Sequence, residues 1–396
     1  MVQELEKEYI FTKHDKTLTK ALNADPLGFQ VIWTYFGQKI YKNKINSATF
    51  DIRLFNFNLF NHVVIYQLIQ DDNKTDIGET LILLENMLIW SWFKNQNEFI
   101  KKGLNGTEKA EKNWNIPNIT IDKLKQDLIK SQSSTGVNGR YKGAFVEMGF
   151  FDTDYNYDNE KMKNVLDLIK RNRNLSKLYD SILEWFKDIN IEKIPTLLVF
   201  GSVDKLAKHT KDFWLENLGF NDGLAKILYK NINTSSSKEL FEESLEKDEN
   251  NHFSNILTLE PILAYMDLLF NYILTLDGVE IKELKKYFEP IKNFKFESFD
   301  EHIDESSRVK DRFSKLIEMQ QKGIEGFILY HQDLMSQRDR LPWIEIKDTK
   351  LKILKIQQDK DYKAKLDKYK DNYQEIEWIH DYYRGSIRRI KESLEP

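Results

Sequence analysis

The sequence has no cysteine. That one absence removes disulfides, thiol nucleophiles, iron–sulfur clusters and cysteine-ligated zinc, and it fits a reducing compartment. Positive charge is not in excess either. The formal net charge is −4, which excludes a globally basic nucleic-acid binder but leaves room for a local basic patch. No window reaches about 18 uncharged apolar residues, the length a membrane span needs. The nearest, 81–93, is interrupted by Glu85 and Asn86. The opening MVQELEKEYIFTKHDK lacks the apolar centre of a secretory signal. These absences predict a cytoplasmic protein with no membrane contact.

Catalytic and cofactor signatures are missing as well. There is no G-x-S-x-G nucleophile elbow, no Walker G-x-x-x-x-G-K-[ST], no H-E-x-x-H and no D-x-D-x-D-G, so neither a cofactor nor a metal site is expected. What the chain does have is length and apolar content: 396 residues, 41% hydrophobic and 13% aromatic. That is enough to fill two or three cores. Lys, Asn and Ile are abundant, as in proteins of AT-rich bacterial genomes.

Apolar residues recur mostly at helical spacing. Asp25-Pro26 reads as a helix start, with an acid at the cap and proline in the first turn. Further helices are expected over 47–69, 77–92, 119–130, 159–187, 305–322, 327–337 and 359–394. Residues 131–145, SQSSTGVNGRYKGAF, read as a loop because Gly136, Gly139 and Gly143 crowd it. The stretch 294–299 reads as extended. Two short alternating runs around Lys347-Asp348-Thr349-Lys350 read as a β-hairpin over 343–356 with a four-residue connection. The predicted fold class is mainly α: helical bundles with a few short strands. The expected layout is an N-terminal bundle (1–115), a central helical region (116–300) and a C-terminal helix–hairpin–helix module (301–396).

Several clusters invite a chemical reading. The run IPTLLVFGSVDKLAKH resembles the strand that delivers the acid of α/β-hydrolases, with Asp204 in that role and His209 behind it. Without a nucleophile elbow, a buried strand with Ser202 or Asp204 capping the next helix is the better reading. His331, Asp333, His380 and Asp381 are the catalytic candidates. With His302 they could be assembled into a histidine–aspartate set, but in no regular spacing. His62 and Glu85 sit in apolar helical runs and read as members of satisfied core networks.

Cations with aromatic neighbours suit phosphate contact and base stacking. Arg140 and Lys142, Arg338 and Arg340, and Arg384 and Arg388 are the nucleic-acid-binding candidates. Lys350, Lys352 and Lys355 add charge to the hairpin, while interleaved acids argue for an ordinary salt-bridged surface. Within YHQDLMSQRDRLPWIEI (330–346), His331 shares a helical stripe with Phe327 and Met335, as a core or interface histidine would. Pro342 ends that helix and leaves an arginine-rich corner before the hairpin.

Two functions follow. The first is a non-enzymatic adapter or scaffold in a bacterial multiprotein complex, with other protein subunits as partners. It would hold DNA or RNA phosphates through the Arg/Lys residues, and anti-phage defence is one setting for such a protein. The alternative is a hydrolase or nuclease, metal-dependent or built on His331 and Asp333 with His380 and Asp381.

Overall fold

The computed structural model describes residues 25–71, 75–95, 106–113, 120–129, 131–189, 210–300, 303, 308–355 and 361–395. The protein is mainly α-helical. Its described strands form one antiparallel hairpin, β1 Ile344–Lys347 and β2 Lys350–Ile353. The chain divides into two compact units, one of Met1–Phe36 with Ser236–Tyr382, the other of Gly37–Ser235 with Tyr383–Pro396.

The first unit is organised on helix His252–Ile273, buried on almost every side: Leu259, Ile262, Leu263, Tyr265, Met266 and Leu269 are inaccessible. It is long and apolar enough to cross a bilayer, yet 78% of its apolar window is buried. Helices Ser237–Glu242, Lys285–Asn293 and Tyr362–Tyr369 pack on it. Phe270 meets Phe327 and His331 of helix Gly323–Ser336. Helix Arg308–Gln321 runs beside that one, and its Gln320 amide donates to the carbonyls of Ile291, Lys292 and Phe294. Those carbonyls lie at the end of helix Lys285–Asn293, where acceptors lack the next turn's N–H groups.

The hairpin register is Ile344↔Ile353, Glu345↔Lys352, Ile346↔Leu351 and Lys347↔Lys350. The turn is therefore two residues, Asp348-Thr349, and not the expected four. Both have positive φ, +48° and +69°, as a type I′ turn requires. The Thr349 hydroxyl donates to Glu280 Oε2 at 2.9 Å, and Ile281 N–H donates to Thr349 C=O at 3.0 Å. Leu351 exchanges backbone bonds with Gly278 and Val279, so residues 278–281 cover the outer side of β2.

The second unit is built around helix Ile52–Asp71, whose residues 52–66 are almost all buried. Phe55 stacks edge-on against Tyr141 and tilts against Trp214. Helices Ile77–Asn95, Val137–Glu147, Asn159–Arg171, Arg173–Lys187 and Arg384–Leu394 contact the central one.

Four local expectations change. The glycine-rich 131–145 is helical, as Gln132–Thr135 and Val137–Glu147. Two of its glycines serve close packing: a Cβ on Gly139 would lie 2.3 Å from the Ser134 backbone, and one on Gly136 2.5 Å from the Glu85 carboxylate. The 159–187 run is two helices, divided at Asn172, whose side chain accepts from Asn174 N–H and Leu175 N–H. Residues 294–299 form a turn and the start of helix Glu297–Asp300, with Phe294 stacked on Phe299. In the described part of the tail the α-helices are Tyr362–Tyr369 and Arg384–Leu394, with one 3-10 turn, Tyr373–Glu375, between them; Tyr382 and Tyr383 take left-handed backbone, φ +47° and +62°, just before the second helix.

Candidate functional site

The stretch 330–343 clamps the backbone that precedes helix Gln30–Tyr41. Three side chains take three consecutive carbonyls: Arg338 Nη1 donates to Asp25 C=O (2.7 Å), His331 Nδ1 to Pro26 C=O (2.9 Å) and Tyr330 Oη to Leu27 C=O (2.7 Å). Local sequence explains the spacing. Tyr330 and His331 lie on the buried side of helix Gly323–Ser336, and Arg338 follows its end. On the other side of the imidazole, Nε2 accepts the N–H of Trp343 at 2.9 Å. A ring nitrogen that accepts carries no proton, so Nδ1 is the protonated one. Burial pushes this imidazole down to about 4. It is thus a neutral bridge with both nitrogens occupied, and no lone pair is left to serve as a base.

The other catalytic candidates are held apart from it. Asp333 is exposed, accepts from the Gln337 amide (2.6 Å) and pairs with Lys315 (3.7 Å). His380 stacks on Trp33 with centroids 4.7 Å apart, its Nδ1 accepts Tyr382 N–H, and burial lowers it to about 4. Asp381 is exposed, and its carbonyl accepts from the Ser237 hydroxyl. No described group of three His, Asp or Glu side chains is arranged to hold a metal ion. His14, Asp15, Ser202, Asp204, His209 and His302 lie outside the described residues, as does the expected strand at 194–205.

Sequence reasoning misses the buried acid nearest His380. Glu260 is inaccessible. Its carboxylate accepts Trp33 Nε1–H (2.9 Å), Tyr382 O–H (2.9 Å) and His380 N–H (3.0 Å). Burial raises it to about 7 against these donors. The available signal is a lone acid in an apolar helical run, directly before Pro261. In the second unit His62 and Glu85 sit in comparable networks. His62 bonds Tyr157 Oη and Asn138 Oδ1, each at 2.9 Å, and burial lowers it to about 3. Glu85 accepts Val137 N–H at 3.0 Å and is raised to about 7 by burial.

Most of the cations chosen for phosphate contact have internal partners. Arg140 Nε donates to Gly136 C=O (3.3 Å). Lys142 donates to Thr153 C=O (2.7 Å) and lies over the Tyr155 ring. Arg384 donates to Thr234 C=O, while Lys391, two turns on, donates to Tyr229 C=O (3.1 Å). Helix Gly223–Asn231 ends there, and cations favour a helix C-terminus. Arg388 is half-buried between them in sequence. Arg338 is taken by Asp25, through its carbonyl and, at 3.8 Å, its carboxylate. Arg340 is exposed.

Arg340 opens a basic stretch of the first unit. Residues 338–355 carry six cations and three acids, a net charge of +3 in a chain of −4. Lys347, Lys350 and Lys352 are exposed. Lys355 lies 3.5 Å from the Trp343 ring centroid, and Lys352 pairs with Glu345 across the strands at 3.0 Å. Leu341 is 77% exposed beside Arg340. Comparison with protein-family models, curated proteins and solved structures finds no match to the chain.

Proposed function

We propose that the protein is a non-enzymatic adapter or scaffold subunit of a multiprotein complex, holding an anionic partner at the hairpin corner formed by Arg340, Lys347, Lys350, Lys352 and Lys355. The carrying observation is the contrast in how cations are used. Arg140, Lys142, Arg338, Arg384 and Lys391 are bonded to internal carbonyls, whereas at the corner Arg340 and Lys347 are exposed next to an open leucine, Lys350 and Lys352 are exposed beside Glu280 and Glu345, and Lys355 is half-buried over Trp343. Geometry favours this over a histidine–aspartate hydrolase. A general base needs a free lone pair within reach of its substrate, and the ring nitrogens of His331 are both bonded to backbone groups.

Charge reversal at Arg340, Lys347 and Lys355 tests the reading, with a labelled twenty-base oligothymidine as a generic polyanion. The expected result is a roughly tenfold or greater loss of binding and a shallower salt dependence, by roughly one in slope per phosphate contact removed. Reversal of Arg388, outside the corner, leaves binding unchanged. Binding that is indifferent to the corner and falls with Arg388 overturns the reading.

A further inference from the structure

Arg312 is a buried cation without an anion. The residue is 7% exposed, and among the described residues no carboxylate pairs with it. Arginine is seldom this buried unless it is paired. Its Nη1 donates to Tyr330 Oη at 3.1 Å, and the Tyr330 hydroxyl donates in turn to Leu27 C=O at 2.7 Å. Gly28 closes one side, where a Cβ would lie 2.5 Å from Cζ and Nη1. Nε is sealed from solvent and has no partner. Nη2 has none either among the described residues, but it reaches solvent. Asp25, in the same turn as Gly28, does not neutralise this charge. Its carboxylate oxygens accept Phe29 N–H at 2.7 Å and Gln30 N–H at 2.9 Å, and it faces Arg338 at 3.8 Å.

We infer that Arg312 is the floor of a binding site for a phosphate group, free or carried by a small molecule. Nε–H and Nη2–H lie along one edge of the guanidinium, and two parallel donors of that kind match two oxygens of an oxyanion. The bond from Nη1 to Tyr330 sets the plane of that edge before a ligand arrives, so less ordering is left to binding. Arg308 decides between phosphate and carboxylate. It lies four residues before Arg312 on helix Arg308–Gln321, hence on the same stripe. It is exposed and has no acid partner among the described residues. Two positive charges one turn apart favour a dianion over a single carboxylate. The site shares no residue with the hairpin corner.

Isothermal titration of the full chain tests the site, with inorganic phosphate and glycerol 3-phosphate as probes and acetate as the carboxylate control. A pH of about 8 keeps phosphate dianionic, and constant ionic strength keeps screening equal. Both phosphates are expected to bind more tightly than acetate. A tighter ester assigns a phosphorylated molecule and tighter inorganic phosphate assigns the free ion; either supports the site. Arg312→Lys keeps the charge but has no fork, and weakens binding roughly tenfold or more. Arg308→Gln narrows the preference for phosphate over acetate. Should a variant fail to fold, the parent decides alone: phosphate moves the Arg312 Nε–H resonance in nitrogen NMR spectra and raises the urea midpoint, as a ligand of the folded state must. No heat and no change of midpoint with phosphate overturns the site, as does Arg312→Lys binding as tightly as the parent. Acetate that binds as well as phosphate overturns the phosphate assignment.

Discussion

His331 ties together two segments that are remote in sequence: its Nδ1 donates to the carbonyl of Pro26 and its Nε2 accepts the N–H of Trp343, each at 2.9 Å. The imidazole is the only side chain of that size with a donor on one side and an acceptor on the other, held rigidly in a ring. His331→Ala leaves two partly buried backbone groups without this partner and opens a cavity beside Phe270, 4.7 Å away ring to ring. A loss of about 3 kcal/mol is expected, read as a lower urea midpoint. Tyr330→Phe removes the hydroxyl that bonds Leu27 C=O and accepts from Arg312. It should cost less, about 1–2 kcal/mol. A His331→Ala protein as stable as the parent would show that the bridge contributes nothing.

The buried acid of the same unit gives a pH dependence of defined sign. The folded pKa of Glu260 is raised to about 7 from 4.5, so the folded state holds this proton more tightly than the unfolded state. The stability it contributes is complete below pH 4.5 and is lost as pH rises through about 7. Glu260→Gln abolishes the titration. Its stability deficit relative to the parent should therefore shrink between about pH 4.5 and 7, by an amount on the order of 3 kcal/mol. His331 and His380 act in the opposite sense. Both fall to about 4 from 6.5, so their contribution is complete above 6.5 and is lost as pH falls through about 4. Urea midpoints of parent and Glu260→Gln at about pH 5 and pH 8 measure the difference directly. A deficit that grows with pH would contradict the assignment.

Helical spacing makes the body of the fold legible. Phe327, His331 and Met335 fall on one stripe at i, i+4 and i+8, and burial of all three follows from that. Periodicity cannot name partners, and those of His331 stand 305 and 12 residues away. The cations mislead for a related reason. Arg384 looks like part of a binding face until its acceptor, Thr234 C=O, is placed just beyond the end of helix Gly223–Asn231, whose last turn also receives Lys391 at Tyr229 C=O. The glycines of 136–143 suggest flexibility because a residue lacking Cβ permits both free torsions and close approach, and a single sequence does not say which is in use.

The same glycines separate by substitution. Gly139→Ala forces a methyl group to within 2.3 Å of Ser134 backbone atoms that cannot swing aside, so a loss above about 2 kcal/mol is expected, on the scale of overpacked sites. Gly143, in helix Val137–Glu147, has nothing within 4 Å of its would-be Cβ. Gly143→Ala should stabilise by about 0.5–1 kcal/mol, since alanine forfeits less backbone entropy in a helix. Thermal midpoints of the two variants moving in opposite directions would support the packing account. A stabilising Gly139→Ala would return the segment to a loop.

Two asparagines on helix Ile52–Asp71 give the last contrast. Asn56 and Asn58 are both buried, but Asn56 Oδ1 accepts the Trp214 indole N–H at 2.8 Å. Neither amide atom of Asn58 has a partner among the described residues. A buried amide without partners has lost its hydration and gained nothing in exchange. Asn58→Leu, similar in size and apolar, should therefore raise the urea midpoint, by about 1–2 kcal/mol in stability. Asn56→Leu should lower it, because the indole N–H of an inaccessible tryptophan is left unpaired. Should Asn58→Leu destabilise as strongly as Asn56→Leu, the Asn58 amide has a bonding partner, and an internal water is the natural one.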